Sequence, residues 1–149
     1  MLQINFEVGM VKESCEKVSC RSPEDIYREM GSIGKLAQEG FFVITMNAKH
    51  EIIDKHMCGL GLLDCCPVHP REIFRSAIND NACSIILAHN HPSGDPTPSK
   101  NDCDITRRII KAGHILGISV LDHIVIGRPN ENQPGYVSMR EKNLVRFGC

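Results

Sequence analysis

The stretch Ala88–Asp102, AHNHPSGDPTPSKND, decides how the rest of the chain is read. It opens with two histidines one residue apart, closes on an aspartate, and carries a Gly/Pro-rich turn between them. Side chains alternate along an extended segment, so His89 and His91 project to one side while Asn90 points away. The turn through Pro92, Gly94, Pro96 and Pro98 reverses the chain, and Ser99 to Asp102 then matches the Ser-x-x-acid pattern that opens a helix. Asp102 is thereby returned to the histidines on the first turn of that helix. Two neutral imidazoles and one carboxylate, with a fourth position left to water, make the open tetrahedral set of a catalytic zinc, Zn2+, and not the closed set of a structural one. A bare His-x-His pair also suits a strand end, and Ser99 with Asp102 also suits a plain capping box; it is their order in one short segment that favours the metal.

Working outward, Cys83–Ala88 is a continuous apolar run, as expected of a strand buried on both faces whose carboxyl end delivers the histidines, and Cys83 is expected in the core. The helix from Ser99 carries Ile105, Ile109, Ala112 and Leu116 on one face and stops near Gly117. Ile118–Ile126 reads as another buried strand, followed by a loop through Pro129–Gly135 and a short strand at Tyr136–Met139. Upstream, Gln3–Val8 alternates weakly as a strand would. Ser22, Pro23 and Asp25 start a helix with Ile26, Met30, Ile33 and Ala37 at helical spacing. Phe41–Met46 and Glu51–Met57 form a hairpin across Asn47–His50, Leu60–Cys66 is a loop, and Pro70 starts a helix with Ile73, Phe74, Ala77 and Ile78 on one face. Helices alternating with strands, one pair of them a hairpin, imply an α/β layered domain with a mixed sheet.

The chain has 149 residues, enough for one domain with a real core, and is 42% hydrophobic and 23% charged. Its net charge of -1 supplies no bulk attraction to nucleic acid or to an anionic membrane. The N-terminus MLQINFEVGM lacks the basic start and long apolar run of a signal peptide, and no apolar stretch is long enough to span a membrane, so a reducing cytoplasm is the expected location. Of the eight cysteines none forms a Cys-x-x-Cys, which argues against a thiolate zinc ribbon.

His89, His91, Ser99 and Asp102 reproduce the H-x-H-x(7)-S-x-x-D signature, and the chain resembles the JAMM (MPN-plus) metallopeptidases. The longer string HNHPSGDPTPS from His89, with LDHIVIG at Leu121–Gly127, is similar to the bacterial RadC branch of that superfamily, from about Glu39 to the end of the chain. The resemblance implies a single three-layer domain over residues 1–149, a mixed sheet flanked by helices and similar to the cytidine deaminases. The deaminases' own H-x-E and P-C-x-x-C pattern is absent, which counts against base deamination.

The resemblance also implies roles. His89, His91 and Asp102 would hold zinc, Glu39 would be the general base, and Ser99 would donate to the developing oxyanion, a use of its hydroxyl that competes with capping. Glu72, in the first turn of the Pro70 helix, is already explained by the helix dipole. The expected activity is hydrolysis of a peptide or isopeptide amide in a peptide or protein substrate. The alternative is a DNA repair or recombination accessory protein, with weak nucleic-acid association and a non-catalytic metal site. Longer RadC proteins carry a helix-hairpin-helix region for which this chain has no room, which weakens that alternative.

The remaining features carry less. His123 is expected to be a hydrogen-bonded core histidine, Asn90 and Ser93 to stabilise the turn, and Arg107, Arg108 and Lys111 to form the wet face of their helix. His50, His56, His69 and His114 show no partner pattern. Gly40, where relatives carry a bulkier residue, is expected to loosen Glu39, and Cys65 or Cys66 is placed near the metal.

Overall fold

A computed structural model describes residues 16–61 and 68–148 of the chain; the expected strand at Gln3–Val8, most of the Leu60–Cys66 loop, and both Cys65 and Cys66 lie outside them. Helix α1, Pro23–Met30, starts as its sequence requires: Asp25 N–H donates to Ser22 Oγ, Ser22 N–H donates to Asp25 Oδ2, and proline stands at the first helical position. A 3-10 turn follows over Gly31–Lys35. It ends the apolar stripe early, so Ile33 is buried but Ala37, expected on the same helical face, is exposed. The turn is tight because the chain there runs against the strand end at Gly127, whose carbonyl would lie 2.5 Å from a Cβ at Gly34.

Strands β1 (Gly40–Met46), β2 (Ile52–Leu60), β3 (Ser84–Asn90), β4 (Ser119–Ile126) and β5 (Tyr136–Ser138) form one sheet in the order β2-β1-β3-β4-β5. All neighbours are antiparallel except β3 and β4, which are parallel and need the long crossover that helix α3, Lys100–Leu116, provides. Strand β2 extends to Leu60, beyond the expected end at Met57. Between α2, Pro70–Asn79, and α3 on one face and α1 on the other, the sheet is the middle of three layers. On the α1 face Ile26, Met30 and Ile33 pack with Ile44, Ile86, Ala88 and Ile124. On the other, Ile73, Phe74, Ala77, Ile105 and Ile109 pack with Val43, Ile85, Leu87 and Val120. Truncating a fully buried member such as Ile109 to alanine costs about 2–5 kcal/mol.

Three further expected core residues are exposed. Ile78 (57%) lies beyond the Ile73–Ala77 centre of the α2 stripe, on the last turn. Leu116 (47%) is the last residue of α3, before the chain reverses at left-handed Gly117. Cys83 precedes β3 and alternates outward between buried Ala82 and Ser84. Among the described residues Cys20, Cys58, Cys83 and Cys103 are free thiols, and no helix is long and apolar enough to cross a membrane.

Candidate metal centre

Alternation along β3 puts Ile85, Leu87 and His89 on the α3 face, while Ile86 and Ala88 face α1. His91, one residue past the strand, extends the parallel ladder through its N–H to Ile126 O at 2.8 Å. The two imidazoles converge as the spacing requires, Nε2 to Nε2 at 3.0 Å. The loop then returns the chain to α3, where Ser99 is the N-cap. Asp102 N–H donates to Ser99 Oγ at 3.1 Å, and Ser99 N–H donates to Asp102 Oδ2 at 2.7 Å. That capping box aims the Asp102 carboxylate at the histidines, with Oδ1 3.4 Å from His89 Nε2 and Oδ2 3.5 Å from His91 Nε2.

These spacings fit a metal ion. A tetrahedral zinc with bonds of about 2.0–2.1 Å holds its ligand atoms roughly 3.3 Å apart, and the three donor pairs lie at 3.0, 3.4 and 3.5 Å. Glu39 Oε1 stands slightly further off, 3.6 Å from His89 Nε2 and 3.9 Å from His91 Nε2. Ligand atoms of Glu39, His89, His91 and Asp102 all lie within 4.8 Å of one another. Glu72, on the exposed side of α2, is not among them.

Each donor is held from behind. His91 Nδ1 lies 2.7 Å from Asp95 O, which can only accept, so Nδ1 carries a hydrogen and, in the neutral ring, Nε2 is the nitrogen open to a metal. Asp95 is itself fixed by Thr97, whose N–H and hydroxyl donate to Oδ1, and by its own N–H to Ser93 Oγ, a turn role as expected. His89 stacks on Phe41 at 5.9 Å and contacts His123 Nε2 through Nδ1 at 2.7 Å. His123 is the hydrogen-bonded core histidine that its setting suggests, fully buried with Nδ1 2.6 Å from Thr106 Oγ1.

Asn90 does more than stabilise a turn. It is fully buried, accepts from Gly40 N–H at 2.7 Å and donates to Gln38 O at 3.0 Å, so its amide grips the backbone on both sides of Glu39. Gly61 N–H donates to the Glu39 carbonyl at 2.6 Å. Gly40 therefore does not loosen Glu39. A Cβ there would meet the edge of the Phe42 ring at 2.7 Å, so a larger residue would require that ring to shift.

The electrostatics follow from this crowding. Burial pushes the Asp102 carboxyl up, but its hydrogen bonds with His89 and His91, the electrostatic pull of His89, and Ser99 N–H together hold it well below the usual carboxylate range. The hydrogen bond with Asp102 raises His91 above 6.5 against the opposing effect of burial. Burial, then the neighbouring His89, holds His123 far below 6.5, so its ring is neutral. Burial likewise raises Asp122, which accepts from Ser138 Oγ–H, His123 N–H and Arg140 N–H and ties β4 to β5 behind the site.

A second group, Asp54, His56 and Asp80, gives His56 the partners its sequence did not announce: Nε2 lies 2.6 Å from Asp80 Oδ2, which also accepts from Thr45 Oγ1–H at 2.6 Å. His69 proves to be the N-cap of α2, its Nδ1 accepting from Arg71 N–H. The role of His56 has no short-range signal, whereas that of His69 goes with Pro70 at the first helical position.

Comparison with known proteins bears on the whole described fold. The UPF0758 protein of Symbiobacterium thermophilum is 52% identical over 110 residues, which is 74% of this chain and 45% of that protein. That of Caldanaerobacter subterraneus subsp. tengcongensis is 44% identical over 150 residues, 98% of this chain and 62% of its own length. A Listeria monocytogenes relative of the same name is 42% identical over 142 residues, 95% and 61% respectively. The chain thus spans between 45% and 62% of the length of these relatives. The RadC-like JAB domain profile matches residues 20–144, from the bridge before α1 to the segment beyond β5, and the chain belongs to that family.

Proposed function

We propose that this domain is a zinc-dependent hydrolase of amide bonds, peptide or isopeptide, with His89, His91 and Asp102 as ligands. The observation that carries the reading is the position of Glu39, whose carboxylate stands 3.6 and 3.9 Å from the two Nε2 atoms, outside the tighter spacing of the three ligands. A carboxylate so placed serves as a general base better than as a fourth ligand. His89, His91 and Asp102 would hold the zinc, which when bound would supply a water of pKa about 7 and a Lewis acid toward a substrate carbonyl. Glu39 would take the proton of the attacking water and return it to the leaving amine. Asn90 would keep that carboxylate in place through the backbone on either side of it. The Ser99 cap uses a lone pair of Oγ to accept from Asp102 N–H, which leaves the hydroxyl hydrogen to donate to the developing oxyanion. Capping and catalysis are then compatible uses of one hydroxyl.

Metal content by mass spectrometry, on the wild type and on His91→Ala, tests the site. About one zinc per chain, lost in the variant, is expected; a folded wild type that takes up none after zinc is added back would remove the basis of the reading. The nucleic-acid alternative would draw on the exposed Arg107, Arg108 and Lys111 of α3, yet Arg107 is already paired with Asp104 at 2.9 Å. Oligonucleotide binding that weakens steeply with salt would favour it.

A further inference from the structure

His89 and His91 are held differently from behind. Behind His91 stands a carbonyl, which accepts and nothing else. Behind His89 stands another imidazole, and an imidazole can take either side of a hydrogen bond. The pair His89–His123 taken alone therefore does not decide which nitrogen of His89 carries hydrogen, and a His89 with hydrogen on Nε2 cannot be a metal ligand.

The ambiguity is removed two residues away. Asp102 O is a carbonyl, so the contact at 2.6 Å from Thr106 Oγ1 consumes the only hydrogen of that hydroxyl. Thr106 then has only lone pairs to offer His123 Nδ1, 2.6 Å away, and His123 must donate from that nitrogen. His123 is fully buried and its two ring nitrogens are bonded to a hydroxyl and an imidazole, so a second hydrogen would place a charge where no carboxylate bonds to it. Its Nε2 is left as an acceptor. His89 Nδ1, at 2.7 Å, supplies the hydrogen, so Nε2, the nitrogen that faces His91, Asp102 and Glu39, is the one left for a metal ion to take.

We infer that Thr106 and His123 are positioning residues, a relay of hydrogen-bond direction that begins at the Asp102 carbonyl and fixes His89 in the tautomer able to bind metal. The inference rests on the reading of His89 as a ligand. It gives Thr106 a task that its helical back-bond alone would not require, and it makes one ligand's backbone set the state of another ligand's ring.

The test joins imidazole nitrogen NMR, with and without zinc, to zinc affinity by chelator competition, on the wild type, Thr106→Val and Thr106→Ser. Wild-type His123 is expected neutral with hydrogen on Nδ1, even without metal. Thr106→Val keeps the shape and removes the acceptor, so His123 should move its hydrogen to Nε2 and zinc affinity should fall about 10–100-fold. Thr106→Ser should restore both. Hydrogen on Nε2 of wild-type His123 overturns the relay, whether or not Thr106→Val folds. So does a folded Thr106→Val with unchanged tautomer and zinc affinity, while wild-type zinc binding leaves the metal reading standing. A wild type with the expected tautomer that takes up no zinc sinks the metal reading and supports the hydrogen-bond order.

Discussion

Two places in this fold bring histidine together with two carboxylates, near opposite ends of β1. By Phe41, His89 and His91 meet Asp102 and Glu39; by Thr45, His56 meets Asp54 and Asp80. In the first, the Nδ1 atoms are bonded to groups behind them, and the Nε2 atoms face one another across 3.0 Å. In the second, Nε2 of His56 is itself bonded to Asp80 at 2.6 Å, while the Asp54 side chain is 63% exposed. Asp80 is the C-cap of α2, so that pair fastens a helix end to the β1–β2 hairpin. The same side-chain types thus give a candidate metal centre in one place and a clasp in the other. What separates them is that groups behind the site take Nδ1 of His89 and His91, whereas a carboxylate takes Nε2 of His56 at 2.6 Å.

The comparison is broken most directly by substitution. Glu39→Gln should retain zinc and reduce amide hydrolysis by about 10²–10⁴-fold; measured turnover close to wild type would remove Glu39 from its role. Asn90→Ala should leave the Gln38 carbonyl and Gly40 N–H buried and unpaired, costing about 1–3 kcal/mol each in a denaturant titration. It should also slow hydrolysis while zinc stoichiometry stays unchanged.

The pH dependence sharpens the contrast. His91 is raised above 6.5 by Asp102, so in the metal-free chain its proton stabilises the fold below that pH, and the contribution is lost as pH rises through the folded value. Zinc competes for the same nitrogen. Apparent zinc affinity should therefore climb from pH 6 to 7, by up to about tenfold per unit; a flat affinity over that interval contradicts the assignment. The smallest effect is expected at the clasp: His56→Ala should cost about 1 kcal/mol, given its partial exposure, and leave one zinc per chain. Lost zinc in that variant would make the second group the metal site.

Much of the first group was legible because its parts are local. The His-x-His alternation, the turn and the Ser99 cap each follow from residues within a few positions of one another, and they meet as the spacing requires. What stayed hidden depends on contacts across the sheet. Asn90 was read as a turn residue because its partners, at Gln38 and Gly40, are some 50 positions away. His56 gave no signal because Asp80 reaches it only once α2 has packed on the hairpin. Helical periodicity marked the right stripes, but on the last turns of α2 and α3 Ile78 and Leu116 are exposed. For Glu39 the residues alone gave no role; the family resemblance pointed to it, and the fold brings its carboxylate to the histidines.

The amide of Asn90 has a mechanical consequence. It belongs to the strand residue between His89 and His91, and it grips the chain immediately before and after Glu39. The backbone that carries Glu39 is thereby tied to the strand that carries the two imidazoles. A displacement of one strand against the other would have to break these two bonds before Glu39 and the histidines could part at the backbone.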